Sequence, residues 1–243
     1  MTLSGSVTLV TGAARGIGLA LTGRLCREGG RVLMADADAA ALEEAATGLP
    51  SDRVAIAVAD VRFLAQLEAA AGAATARWGP LDAWVNNAGL ARHRRVTDYT
   101  EDDLDLMTDV NLKGAVFGCQ VALRHFAAAG RGRIVNVIST AALRGIPTES
   151  FYCATKWGLR GFTQALAEEA APLGVAVTAI LPGGVDTGFW DAAVDREMPV
   201  GDFLTPAQVA DAIVAVLAQD DACVTRELVL RSLKDRDFAG DRE

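Results

Sequence analysis

The sequence predicts an α/β protein: a doubly wound parallel sheet of about seven strands, with helices on both faces, in a single domain. Three observations predict it. Short β-branched runs alternate with longer Ala- and Leu-rich stretches about six times along the 243 residues. The short runs are continuously apolar rather than alternating, as strands buried on both faces require. A glycine-rich turn follows the first run and leads into a helix-length segment.

The elements follow in order. Strands are expected at Val7–Thr11, 32–35, 54–59, 81–86, 134–137 and 175–181, with a late one at Glu227–Leu230. Helices are expected between them, at 17–28, 39–48, Leu64–Trp78, 101–129, 150–173 and 206–218. Alanine-rich stretches such as 39–46 and 69–76 suit helices packed closely on a sheet. Right-handed crossovers place those helices on both faces. Two segments resist the pattern. Residues 187–205 read as a substrate loop with a short helix, and 234–243 as a charged, solvated end. No linker rich in Pro, Gly or Ser and no repeat divides 1–243, so one domain is expected.

Composition excludes several functions. The chain carries 23 basic and 31 acidic side chains, a net charge of −8, against the basic stripe of a nucleic-acid binder. Cys26, Cys119, Cys153 and Cys223 lie far apart, and His93 and His125 are the only histidines, so neither a disulfide framework nor a metal centre is expected. The start resembles no secretory signal, and no apolar run reaches the roughly 18–20 residues that span a bilayer. The expectation is a soluble, cytoplasmic protein.

The turn Thr11-Gly12-Ala13-Ala14-Arg15-Gly16-Ile17-Gly18 lets backbone approach a pyrophosphate closely at a helix N-terminus. Its spacing, G-x-x-x-G-x-G, is not the common dinucleotide fingerprint, and any strand-to-helix turn uses glycine. Asp36 adds weight: 18 residues past Gly18, at the end of the second strand, it can accept bonds from an adenosine ribose. A 2′-phosphate there would meet a carboxylate, at roughly 4 kcal/mol for like charges about 4 Å apart before screening. Arg15 argues the other way, since it could grip that phosphate. The balance favours a Rossmann-like site for NAD(H) over NADP. Capping a helix is the other use for Asp36, although Asp38 suits that task better.

Tyr152 and Lys156 stand four apart in a predicted helix, on one face. The chain has two tyrosines and only three lysines, Lys113, Lys156 and Lys234, so the pairing is unusual. A fixed ammonium favours a phenolate, and is expected to bring the tyrosine below its ordinary pKa near 10, toward use as an acid or base. The plain alternative is an exposed tyrosine beside a solubilising lysine.

In order along residues 5–231, the sequence resembles the short-chain dehydrogenase/reductase family. Thr11–Gly18 resembles its T-G-x-x-x-G-x-G turn, and Asp60-Val61 its adenine contact. Asn86-Asn87-Ala88-Gly89 is similar to its N-N-A-G, followed by Asn111, Ser139, the Tyr152/Lys156 pair as Y-x-x-x-K, and Pro182-Gly183 with Val185 and Thr187 closing over the nicotinamide. The resemblance implies that Tyr152 is the general acid or base and that Lys156 tunes it and holds the ribose. It implies that Ser139 bonds the substrate oxygen and Asn111 holds a water in a proton relay. Read without the family, Ser139 is a strand-end hydroxyl and Asn111 a polar helix residue. The family's glycine-rich V-D-G-G tail is missing; Arg231-Ser232-Leu233 follow Leu230.

The pocket wall is expected from Phe189, Trp190, Met198 and Phe203, with Arg144, Ile146 and Cys153 near the catalytic helix. Of these, Arg144 and Trp190 join Ser139 and Tyr152 as substrate-binding candidates. Residues 92–95, Arg-His-Arg-Arg, could attract an acidic substrate or simply form a solvated basic loop. His93 is a weaker candidate base beside Tyr152. The expected activity is NAD-dependent hydride transfer on a small alcohol or carbonyl substrate, the alternative being a non-catalytic NAD(H)-sensing protein on the same fold. The resemblance implies a homodimer or homotetramer pairing through 101–129 and 150–173.

Overall fold

The structure is a computed structural model, described here for residues 1–193 and 200–234. Seven parallel strands form one sheet in the order β3-β2-β1-β4-β5-β6-β7. They are β1 (Val7–Thr11), β2 (Arg31–Asp36), β3 (Val54–Val58), β4 (Ala83–Asn86), β5 (Gly132–Val137), β6 (Val175–Pro182) and β7 (Glu227–Leu230). The helices are α1 (Gly16–Arg27), α2 (Ala39–Thr47), α3 (Leu64–Trp78), α4 (Glu101–Thr108), α5 (Ala115–Ala129), α6 (Ser150–Ala170), α7 (Phe189–Ala193) and α8 (Pro206–Leu217).

Alternate strand residues feed two cores, one on each face. Val10, Met34, Val85 and Ile180 pack with Leu21 and Leu25 of α1, Leu42 of α2 and Ile213 of α8. Leu9, Leu33, Trp84 and Ile134 pack with Leu67 of α3, Phe126 of α5 and Leu166 of α6. Both neighbours of each strand side chain are therefore apolar, which is why the strand runs read as continuous.

Two helix expectations change. The segment read as one helix over 101–129 is broken by a π-helical turn, Asp109–Gly114, between α4 and α5. The wide turn ends at Gly114, where a Cβ would lie 2.7 Å from Val61. Residues 150–173 end as helix at Ala170, and a 3₁₀ turn, Ala171–Leu173, carries the rest because Pro172 enters there. Within the substrate loop the structure describes α7 and a single 3₁₀ turn, Val200–Asp202. Met198 and the tail beyond Lys234 lie outside the described residues.

The first two strand neighbours of β1 run in opposite directions of chain order, β2 on one side and β4 on the other. At that reversal the loops after β1 and β4 part, and a crevice opens beyond the carboxyl ends of the strands. Among the described residues no helix is long and apolar enough to cross a membrane.

Candidate active site

A cleft of about 830 Å³ occupies that crevice. The glycine turn forms its floor. Gly12 adopts φ +63°, and a Cβ there would lie 2.8 Å from the Ala88 backbone, so glycine is required on two counts. Gly18 does not line the cleft; a Cβ on it would collide with the Gly12 carbonyl, so it lets α1 pack against the turn. Arg15, Gly16 and Ile17 line the cleft where α1 begins.

Cross-bonding from the next strand fixes the turn. The Asn87 carboxamide donates to the carbonyls of Thr11 (3.0 Å) and Gly12 (2.9 Å). The Thr11 hydroxyl accepts from the backbone N–H of Asn87 (3.1 Å) and of Ala88 (3.2 Å). On the far side Thr187 closes over Gly16, its methyl 3.1 Å from where a Cβ would stand. Pro182, Gly183 and Val185 continue that wall, with the Gly183 N–H donating to Leu230 at 2.8 Å.

Asp36 faces the cleft with both carboxylate oxygens engaged, one by the Ala14 N–H (3.0 Å) and one by the Asp38 N–H (3.1 Å). Asp38, not Asp36, caps α2 through the Ala41 N–H at 3.1 Å. Asp38 also pairs with Arg15 at 2.5 Å, so a carboxylate partner offsets the Arg15 charge. Asp60 and Val61 line the adjoining wall. Burial alone would raise the Asp60 pKa, but the Arg62 guanidinium and backbone N–H bond the carboxylate and hold it below its ordinary value.

Ser139, Tyr152 and Lys156 converge on the same cleft. Ser139 lies two residues beyond β5 and caps the 3₁₀ turn Thr140–Ala142, its hydroxyl accepting from the Ala141 N–H at 3.0 Å. Tyr152 and Lys156 are buried on α6. The Lys156 ammonium donates to the Val137 carbonyl at 3.4 Å and lies 5.7 Å from the centroid of the Tyr152 ring.

Here the expected electrostatics reverse. Burial, the largest influence, pushes the Tyr152 phenol above its ordinary value; a hydrogen bond with Ser139 opposes the rise and the nearby Glu149 charge adds to it. Burial also lowers Lys156 to about 8. The expected lowering of Tyr152 by Lys156 is therefore not found in the chain alone. Low dielectric penalises both charged forms, and burial is the largest influence on each.

Asn111 is placed differently from the other three. Its carboxamide accepts from the Leu90 N–H (2.9 Å) and donates to the Leu90 carbonyl (2.8 Å) and the Thr155 hydroxyl (3.2 Å). It does not line the cleft but buttresses the loop after β4, close behind Gly89, where Lys156 also lies.

At the outer end, Arg144, Ile146, Phe189, Trp190 and Phe203 line the cleft, whereas Cys153 does not. The Trp190 indole N–H is committed to the Val185 carbonyl at 2.8 Å, so that residue presents hydrocarbon. The basic loop divides: Arg92 and His93 line the cleft, while Arg94 turns to Asp103 at 2.8 Å. Sequence reasoning missed Glu149, which lines the cleft one helical turn before Tyr152. That spacing was the available signal.

A parallel sheet with a glycine-floored cleft at its reversal, and a serine, tyrosine and lysine gathered inside, defines a dinucleotide-binding oxidoreductase. The chain belongs to the short chain dehydrogenase family, whose model matches residues 6–197. It is 39% identical over 202 residues to an L-2,3-butanediol dehydrogenase of Corynebacterium glutamicum, covering 79% of this chain and 76% of that one. It is 37% identical over 232 residues to a D-threitol dehydrogenase of Mycolicibacterium smegmatis, covering 91% and 89%. Among solved structures, it is similar to a 3-ketoacyl-(acyl-carrier-protein) reductase from Brucella melitensis complexed with NADH, with TM-score 0.87, 29% identity and coverage of 94% and 97%. An alcohol dehydrogenase from the archaeon Thermococcus sibiricus, complexed with 5-hydroxy-NADP, matches with TM-score 0.86, 29% identity and coverage of 95% and 98%.

Proposed function

We propose that the chain is an NAD-dependent oxidoreductase moving a hydride between nicotinamide C4 and the carbinol or carbonyl carbon of a secondary alcohol, ketone or aldehyde. The observation that carries this is the meeting of Ser139, Tyr152 and Lys156 in one cleft with the glycine turn and Asp36. The residues present fit a dinucleotide: Gly12 and Gly16 line the cleft at the start of α1, where a helix N-terminus suits a pyrophosphate, and Asp36 lines it where a ribose would bond. Gly12, Arg15, Gly16, Ile17, Asp36, Asp60, Val61, Asn87, Ala88, Gly89, Pro182, Gly183, Val185 and Thr187 would hold it, with Gly18 supporting the turn. The Asp36 carboxylate and the pairing of Arg15 with Asp38 support NAD over NADP. When bound, the nicotinamide group supplies or accepts the hydride.

The chain's own residues then handle the proton. In reduction the Tyr152 hydroxyl gives its proton to the substrate oxygen, while the Ser139 hydroxyl donates a hydrogen bond to that oxygen as charge builds on it. Oxidation reverses both steps. Burial makes Tyr152 a weak acid, and the positive charge of Lys156 would favour its ionised form. Lys156, near 8, is poised to exchange a proton at neutral pH and so to replenish Tyr152. Asn111 positions the loop that passes Lys156. Trp190 and Arg144 contribute the substrate wall. The outward face of α6, where Trp157 is 47% exposed, supports assembly as a homodimer or homotetramer.

Tyr152→Phe tests the reading. Turnover should fall at least a thousandfold while NADH binding, followed by fluorescence, stays within a few-fold. Retained activity refutes the assignment. Wild-type protein that binds NADH but turns over no member of a broad alcohol and ketone panel would instead make the chain a non-catalytic NAD(H) reader.

A further inference from the structure

The outer part of the cleft sets Ile146, Phe189 and Trp190 beside Arg92 and Arg144, and an imidazole and a carboxylate meet there. His93 Nδ1 lies 3.5 Å from Glu149 Oε1, with side chains only 4% and 13% exposed. The His93 ring stands edge-on to Trp190 at 5.9 Å and 6.3 Å from the Tyr152 ring, centroid to centroid. Both residues are fixed by backbone. The His93 N–H donates to the Ala193 carbonyl at 2.9 Å, and the neighbouring Arg94 N–H donates to the Thr148 carbonyl at 2.8 Å. Glu149 leads directly into α6 and its carbonyl accepts from the Cys153 N–H at 2.7 Å. An acid at a helix start is ordinary, since the dipole favours it. Its burial in the cleft, beside a buried histidine and one turn from the catalytic phenol, is not explained by the dipole.

Buried polar groups at a binding surface discriminate strongly, because a ligand without matching groups desolvates them for nothing. A carboxylate has about four acceptor positions, so Glu149 can bond His93 and still receive a hydroxyl proton. The imidazole is a polar group able to donate or accept. Two rings this close can be bridged only by a short unit. We propose that His93 and Glu149 bind a second hydroxyl of the substrate while Ser139 and Tyr152 engage the first, so that the substrates are vicinal diols and their α-hydroxyketone partners. This rests on the oxidoreductase reading above and narrows it.

The test compares matched pairs: 2,3-butanediol stereoisomers against 2-butanol with NAD, and acetoin against 2-butanone with NADH. Wild type is expected to favour the best diol and the hydroxyketone by at least a hundredfold in kcat/KM. His93→Phe keeps a ring against Trp190 and Tyr152 but removes the polar nitrogens. It should bring the ratio within a few-fold of one, chiefly by raising KM for the diol. Glu149→Gln, which can still accept a hydrogen bond, should retain part of the preference. Equal kcat/KM for diol and monoalcohol in wild type overturns the inference and leaves the oxidoreductase reading standing. A diol preference that survives His93→Phe and Glu149→Leu alike also overturns it. Turnover of none of these four, and of no member of the broad alcohol and ketone panel, with NADH bound, removes the reading on which it rests.

Discussion

The Arg160 guanidinium meets the Glu227 carboxylate through two bonds of 2.9 Å, Nε to Oε1 and Nη2 to Oε2, while Nη1 donates to the Ala142 carbonyl at 3.2 Å. Arg160 lies on α6 one turn beyond Lys156 and two beyond Tyr152, Glu227 opens β7, and Ala142 ends the 3₁₀ turn after Ser139. One side chain thus ties the helix of the tyrosine and lysine to the turn of the serine and to the edge strand. Bidentate geometry makes it stronger than an ordinary surface pair.

Arg160→Met is expected to destabilise the fold by about 1–3 kcal/mol, partial exposure having reduced the figure for a charged hydrogen bond. Arg160→Lys should recover only part, because an ammonium cannot form the fork. The Arg160 bonds hold Glu227 below the ordinary carboxylate value of 4.5. The contribution is therefore present above that pH and lost as pH falls below it. Urea unfolding at pH 7 and pH 4 checks both statements; an equal loss at the two values contradicts the second.

Lys156 works against stability. Its folded pKa near 8 lies below the ordinary 10.5, so below pH 8 the fold carries the full cost of a buried ammonium. Between 8 and 10.5 the folded chain has released the proton and the unfolded chain has not, so stability rises with pH. Lys156→Met is expected to be inactive yet more stable by about 1–3 kcal/mol at pH 7, with the gap narrowing toward pH 10. Denaturant melts of both proteins across that range decide it. A gap that widens with pH would show the lysine to be stabilising.

Asp36 should set cofactor choice. Asp36→Ala is expected to shift the ratio of NADPH to NADH affinity at least tenfold toward NADPH, by removing a carboxylate worth roughly 2–4 kcal/mol of repulsion against a 2′-phosphate. The ratio is the readout, since the same change frees the Ala14 N–H and weakens both ligands. An unchanged ratio in paired fluorescence titrations would assign discrimination to Arg15 instead.

Thr148 is the one non-glycine with positive φ, +67°, among the described residues. Its carbonyl accepts from the Arg94 N–H and the Tyr99 hydroxyl (3.2 Å), which pins it in the left-handed region. Asparagine tolerates that region better than a β-branched residue. Thr148→Asn is expected to stabilise by about 1 kcal/mol, seen as a Tm several degrees higher; a lower Tm contradicts the strain.

The sequence by itself determined the layered α/β fold, the glycine turn, the position of Asp36 and the Tyr152/Lys156 register on one helix face. These depend on local chemistry: continuous apolar runs, glycine where a Cβ cannot fit, and a four-residue helical repeat. Tertiary structure decided the rest. The π-helical turn at Asp109–Gly114 ends where Gly114 packs against Val61 of the loop after β3, and no local signal in 101–129 marks it. Burial, which depends on every element closing over α6, raises Tyr152 and lowers Lys156, against the expectation from the pair alone. His93 and Glu149 are 56 residues apart in the chain and meet only because the loops after β4 and β5 are joined through Thr148. Spacing along a chain encodes contacts within one element; contacts between loops depend on the closed fold.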